Sequence, residues 1–107
     1  MSAERIRALN DHFRTTFVGG QVVVTVGVQA LASDIRAMAI RRVATFSEFG
    51  DHDDPYGEHD FGAFELAGHK LFWKIDSYDA DPKYGLVNTF GPAQPSRVLT
   101  IMLAEEY

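Results

Sequence analysis

The sequence contains no cysteine, and none of its apolar runs approaches the length of a membrane span. The first absence excludes disulfide bonds and thiolate chemistry. A spanning helix needs about 18 consecutive apolar residues, so the second predicts a chain that does not cross a membrane. The N-terminal stretch "MSAERIRALNDHF" also lacks the apolar core of a signal peptide and predicts ordered structure. From these absences we expect a cytoplasmic protein.

The composition is typical of a globular protein, with 46% hydrophobic and 23% charged residues. The length predicts a single globular domain over residues 1–107. The net charge of −5 is unevenly distributed, because residues 1–45 carry +3 and residues 46–107 carry −8. Nucleic-acid phosphates require a cationic surface, so we expect no direct binding of nucleic acid by the C-terminal part.

The first 45 residues show two helical patterns around an extended one. Apolar residues recur every three or four positions over residues 2–17, which predicts a helix that ends at Gly19-Gly20. The run "QVVVTV", residues 21–26, is rich in β-branched residues and predicts a strand. A second helix begins either at Ser33 or near Val28. The apolar faces hold Ile6, Leu9, Phe13 and Phe17 in the first helix, and Leu31, Ile35, Met38, Ala39 and Val43 in the second.

The C-terminal half has the pattern of strands. "FGAFEL" and "KLFWKIDSY" predict an antiparallel hairpin around Ala67-Gly68-His69. Residues 79–96 contain three of the four prolines and predict a loop, whereas "RVLTIMLA" predicts a central strand. We therefore expect an α+β fold, a mostly antiparallel sheet of about four strands with two helices on one face. The expected core includes Phe13, Trp73, Ile75, Leu99 and Ile101.

An acidic segment, residues 46–65, holds seven carboxylates and neither Lys nor Arg. Neighbouring like charges repel by about 1 kcal/mol per pair even in water, so such a segment predicts contact with a cation, a metal or a basic protein surface. No catalytic spacing accompanies these carboxylates. The residues that we expect to bind a partner are Asp51, Asp53, Asp54, Tyr56, Glu58 and Asp60.

The length of the hairpin turn decides which carboxylates meet. A three-residue turn sets Asp60 directly across from Asp76, with Lys74 as the nearest neutralising group, whereas a two-residue turn separates the two acids. Carboxylate and imidazole ligands suit Mg, Mn or Zn, so His59, Asp60 and Asp76 are the candidate ligands of a divalent metal. Their spacing matches no established metal motif, and a turn at residues 54–57 with side-chain caps is the simpler interpretation.

The stretches "DPYGEHDFG", "FWKIDSYD" and "RVLTIMLAEEY" together resemble a bacterial family of uncharacterised small proteins, domain of unknown function number 3768. The resemblance extends from the N-terminal helix to Tyr107. It implies a cytoplasmic protein of bacterial genomes and plasmids, and it supplies no known activity, cofactor or catalytic residue. The chain departs from the family pattern at Ser77, where the family would place an aromatic residue.

Three hypotheses of function follow. The first is a small acidic, non-enzymatic protein-binding module that needs no cofactor and meets a basic protein surface, including that of a nucleic-acid-binding protein. Its most specific form is a nucleic-acid mimic that inhibits a host defence nuclease, of the anti-CRISPR or anti-restriction type. The second is a metal-dependent hydrolase using Glu58, His59, Asp60 and Asp76. The third is a structural accessory protein whose acidic segment is solvated surface.

Overall fold

A computed structural model describes residues 3–50, 54–77 and 97–107 of the chain. In these residues three α-helices, four strands and a 3₁₀ turn follow one another. Their order is α1 (Ala3–Thr16), β1 (Gln21–Val24), α2 (Val26–Gln29), α3 (Ser33–Ala44), β2 (Phe61–Leu66), β3 (His69–Ser77), β4 (Arg97–Leu103) and the 3₁₀ turn Ala104–Glu106.

The four strands form one mixed sheet in the order β1-β4-β3-β2. β3 pairs antiparallel with both β2 and β4, whereas β1 pairs parallel with β4. The α+β class, the strand number and the central position of β4 agree with the sequence. The expectation of a mostly antiparallel sheet needs one correction, because β1 runs parallel to its only neighbour among the described strands.

The hydrophobic core lies between the helices and one face of the sheet. Alternate residues of β3 and β4 point to it, as expected for strands with a period of two. All five residues that the sequence predicted for the core are buried, with Trp73 fully enclosed. The helices contribute Phe13, Val28, Ala39 and Val43 to the same core.

The helices differ from the expected pair in number and in burial. The sequence allowed the second helix to begin either near Val28 or at Ser33. The structure has two helices there, the short α2 and a separate α3 that begins at Ser33. Leu9 on α1 and Met38 on α3 were expected on apolar faces, yet they are 39% and 42% exposed. None of the helices in the described part of the chain is long and apolar enough to cross a membrane.

The hairpin between β2 and β3 turns through two residues, Ala67 and Gly68. Leu66 pairs with His69, and both turn residues have positive φ angles, 53° and 83°. These are the angles of the tight turns whose twist matches that of a hairpin. The register consequently places Asp60 opposite Ile75, whose N–H donates to the Asp60 carbonyl at 2.8 Å. Asp76 is therefore one position away from Asp60 along β3.

Glu106 fastens the C-terminus to the start of α2. Its carboxylate accepts hydrogen bonds from the Thr25 hydroxyl, from the N–H of Gly27 at 2.8 Å and from the N–H of Leu103 at 2.8 Å. These hydrogen bonds lower the pKa of Glu106. The Thr25 hydroxyl has the largest effect, the Leu103 N–H the next largest, and the Gly27 N–H a smaller one. The contact holds the end of β4 beside β1.

Candidate functional site

A cleft of about 450 Å³ lies where β3 ends and β4 begins, beside α1. Three carboxylates line it: Glu58, Asp60 and Asp76. Asn10, Ser77 and Arg97 supply its other polar groups, and Ile6 and Ile75 its apolar wall. We call this the acidic cleft. Its volume is within the range of small-ligand sites and is sufficient for one long side chain.

Asp60, the residue before β2, and Asp76 of β3 both line the cleft. Burial raises the pKa of the Asp60 carboxyl above its ordinary value. A hydrogen bond with its own backbone offsets part of this increase, and the charges of Asp54 and Asp76 add to it. Asp76 contacts Lys74 at 3.3 Å, in agreement with the neutralising role that the sequence suggested for this lysine. Ionisation of Asp60 is therefore less favourable than that of an ordinary aspartate.

Arg97 brings one positive charge to the cleft wall. It is 8% exposed, and its Nε donates to Oδ1 of Asn10 at 2.9 Å. Asn10 is 3% exposed, and its Nδ2 donates to the Glu58 carbonyl at 2.9 Å. This buried pair joins α1, β4 and the segment before β2. With three carboxylates and one guanidinium, the cleft lining has a net charge of −2 when all four groups are ionised.

His59 points away from the cleft, into a cluster on α1. Its Nδ1 lies 2.9 and 3.1 Å from the two oxygens of Asp11, and its Nε2 lies 3.5 Å from Oδ2 of Asp54. The ring stacks on Phe49 at 3.6 Å, nearly parallel to it. The backbone N–H of His59 also donates to Oδ1 of Asp54 at 3.0 Å. Both ring nitrogens therefore face carboxylates.

The structure places the remaining candidate residues as follows. Asp54 is 8% exposed and faces His59, so its charge is turned inward, whereas Tyr56 is 77% exposed. The turn at residues 54–57 is present, with the Gly57 N–H donating to the Asp54 carbonyl at 3.1 Å. Gly57 has a φ of 67°, which a glycine adopts without strain. Asp51 and Asp53 lie outside the described residues, as does the predicted loop 79–96.

The three candidate metal ligands are not brought together around one point. Asp60 and Asp76 share the cleft, but His59 does not line it. Across residues 3–50, 54–77 and 97–107, no three His, Asp or Glu side chains are grouped so that they could hold a metal ion.

The sequence analysis missed the polar residues of α1 that build this region. Arg7, Asn10, Asp11 and Arg14 all contact parts of the chain 29 or more residues away. Their spacing of three and four residues, on a helix otherwise recognised by its apolar pattern, was the available signal. Arg14 is almost fully buried and donates to the carbonyls of Val43 and Phe46, at the end of α3.

Comparison with protein families identifies one relationship. The model of a family described as "Protein of unknown function (DUF3768)" matches residues 24–106, and the chain belongs to this family. The match starts at Val24, the last residue of β1, and includes β2, β3, β4 and the segment that borders the acidic cleft. Comparisons with curated proteins and with solved structures found no match.

Proposed function

We propose that this member of the DUF3768 family is a non-enzymatic protein-binding module whose acidic cleft accepts a basic side chain of a partner protein. The observation that carries the proposal is the presence of three carboxylates, Glu58, Asp60 and Asp76, in one cleft with a single guanidinium. A cation entering the cleft reduces the repulsion among these carboxylates. An Arg or Lys side chain has the length to enter, and Ile6 and Ile75 can contact its methylene groups.

Asp60 supports the choice of a cationic ligand. Its raised pKa means that ionisation of this carboxyl is less favourable in the free protein than for an ordinary aspartate. A bound guanidinium would favour the ionised form, so binding and ionisation of Asp60 would reinforce each other. Groups of this kind are frequent at functional sites.

Tyr56 supports a protein as the partner. It lies two residues before Glu58 and is 77% exposed, and exposed tyrosines are enriched in protein–protein interfaces.

A nucleic-acid mimic that inhibits a defence nuclease is the more specific form of this proposal. The −8 charge of residues 46–107 favours it, because a basic groove would attract such a surface over a distance. The inward orientation of Asp54 favours the cleft over a row of outward phosphate-like charges. Competition between the protein and a DNA duplex for a basic nuclease would distinguish the two forms.

Binding of a short peptide tests the proposal. The probe is a six-residue peptide in which Arg and Gly alternate, and its control has citrulline, which is uncharged and similar in shape, in place of Arg. We expect the Arg peptide alone to bind, and Asp60→Asn and Asp76→Asn each to weaken binding by about two- to tenfold. Glu65→Gln removes an exposed charge of β2 outside the cleft and serves as the matched control. Equal binding of both peptides, or an equal loss with Glu65→Gln, would contradict the proposal.

A further inference from the structure

A polar stripe runs along α1 and contacts residues 57–59, the segment that borders the acidic cleft. The stripe consists of Arg7, Asn10 and Asp11, which recur at the spacing of one helix face. Nη1 of Arg7 donates to the Gly57 carbonyl at 3.0 Å, and Nδ2 of Asn10 donates to the Glu58 carbonyl at 2.9 Å. Successive residues of the stripe thus hold successive residues of the segment.

The third contact of the stripe, between Asp11 and His59, fixes a backbone that is unfavourable by itself. His59 has a φ of 54°, in the left-handed region that non-glycine residues seldom adopt. Its ring is enclosed by the Asp11 carboxylate, the Asp54 carboxylate and the Phe49 ring. Because a strained backbone persists only where its surroundings determine it, these three contacts hold His59 in place.

His59 stands between two residues that line the cleft. Glu58 precedes it and Asp60 follows it, while its own side chain points to α1. The His59 side chain therefore contacts α1, while the residues on either side of it line the cleft. Asp11 does not line the cleft, and its carboxylate contacts the side chain of His59, the residue between Glu58 and Asp60.

We infer that Asp11 is a positioning residue of the acidic cleft, acting through His59 to hold Glu58 and Asp60 in their binding orientation. The inference rests on the proposed function of the cleft, which it extends to a residue outside the lining. Arg14 shares the Asp11 carboxylate, since its Nη2 lies 3.2 Å from Oδ1, and it keeps that carboxylate oriented.

The experiment measures the affinity of the Arg peptide for variants of position 11. Asp11→Ala removes the acceptor of the His59 ring, and we expect binding about two- to tenfold weaker, because two cleft side chains must then be ordered on binding. Asp11→Asn keeps an acceptor oxygen and loses the charge, so it should recover most of the affinity. Equal losses in both variants would show a charge effect at a distance and would overturn the inference, as would unchanged binding by Asp11→Ala.

Two controls separate positioning from general stability and from surface charge. Val28→Ala lowers stability in the core at α2, away from the cleft, and should leave the affinity unchanged at temperatures where the protein is folded. Glu4→Gln removes one exposed negative charge from α1. If Asp11→Ala does not fold, Asp11→Leu takes its place, since it also removes the acceptor of the His59 ring. A loss of affinity with Val28→Ala as large as that with Asp11→Ala would overturn the inference.

Amide hydrogen exchange without peptide distinguishes failure of this inference from failure of the proposed function. If the original protein does not bind the Arg peptide, the proposed function fails. The inference is then decided by the exchange of the Glu58, His59 and Asp60 amides. Faster exchange in Asp11→Ala than in Asp11→Asn and Glu4→Gln supports positioning by Asp11, and equal exchange in all of them overturns it.

Discussion

Nδ1 of His59 lies 2.9 Å from Oδ1 of Asp11, a residue 48 positions earlier in the chain. The contact joins the first helix to the segment that supplies two carboxylates of the acidic cleft. In the structure the His59 ring contacts Asp11 and Asp54 beside the cleft. The acidic character of the segment is therefore divided between an internal cluster around His59 and a cleft that is open to a ligand.

The cost of ionising Asp60 predicts that Asp60→Asn stabilises the free protein near pH 7. The folded-state pKa is raised above the ordinary value of 3.8, so the folded protein binds more protons than the unfolded one between these two pKa values. Stability of the original protein consequently falls as pH rises through that interval. The difference in melting temperature between Asp60→Asn and the original should be positive at pH 7 and should vanish below about pH 3.8. A difference that is absent at pH 7 would contradict the raised pKa.

The carboxylate of Glu106 predicts a loss of stability in acid. Its pKa is lowered below the ordinary value of 4.5, so its contribution is complete above that pH and disappears as pH falls through the folded-state pKa. Glu106→Gln should therefore lower the melting temperature at pH 7, and its difference from the original should shrink below about pH 4.5. Glu105→Gln, at the exposed neighbouring position, is the control. Identical melting curves for the two variants would show that the contacts with Thr25, Gly27 and Leu103 are unimportant.

Trp73 predicts the largest stability effect of a single substitution. The ring is fully buried and packs edge-on against Phe46 and Phe49. Trp73→Ala should reduce the free energy of unfolding by about 3–5 kcal/mol, a large part of the total for a domain of this size. Denaturant titration measures this loss. Tyr56→Ala, at an exposed ring, should change it by less than about 0.5 kcal/mol, and a similar loss in both variants would refute the assigned core face.

The arrangement of the candidate ligands predicts that divalent metals do not stabilise the protein. A ligand at a hundred times its dissociation constant adds about 2.7 kcal/mol of stability, which a thermal-shift measurement detects readily. We expect Mg, Mn, Ca and Zn to leave the melting temperature unchanged, because His59 faces Asp11 and Asp54 and is not directed toward Asp60 and Asp76. An increase with any of these metals that Asp60→Asn or Asp76→Asn abolishes would contradict this expectation and favour the metal-dependent hydrolase.

The parts of the fold that could be predicted from sequence are those in which apolar residues recur at a regular spacing along the chain. Alternation along β3 and β4 identified Trp73, Ile75, Leu99 and Ile101 as core residues. The parallel pairing of β1 with β4 left no such signal, since "QVVV" has the same pattern for either direction. The exposure of Leu9 was missed for a related reason, because helical spacing does not tell how much of an apolar stripe its neighbours cover.

Some residues of the candidate site were identified from the sequence. The separation of the acidic residues into a cleft and a cluster around His59 was not. The sequence grouped Glu58, His59, Asp60 and Asp76 as one set of candidate residues. Of these, Glu58, Asp60 and Asp76 line the cleft, and His59 does not. It treated Asp54 and Asp60 as members of one acidic surface, although the first is buried against His59. Contacts across 48 residues decide this difference, and they depend on the packing of α1 against the segment. The spacing of Arg7, Asn10 and Asp11 was the one local indication of that packing.

The most direct test of the central claim maps the binding of the Arg peptide by NMR. In a titration of ¹⁵N-labelled protein, we expect the largest amide shifts at Asn10, Glu58, Asp60, Asp76 and Arg97, which border the cleft. The affinity should fall as ionic strength rises to about 0.2 M, where the screening length is below about 10 Å. The citrulline peptide should cause no comparable shifts. Shifts centred on Glu65 or Glu105, or equal shifts with both peptides, would contradict a basic side chain bound in the acidic cleft.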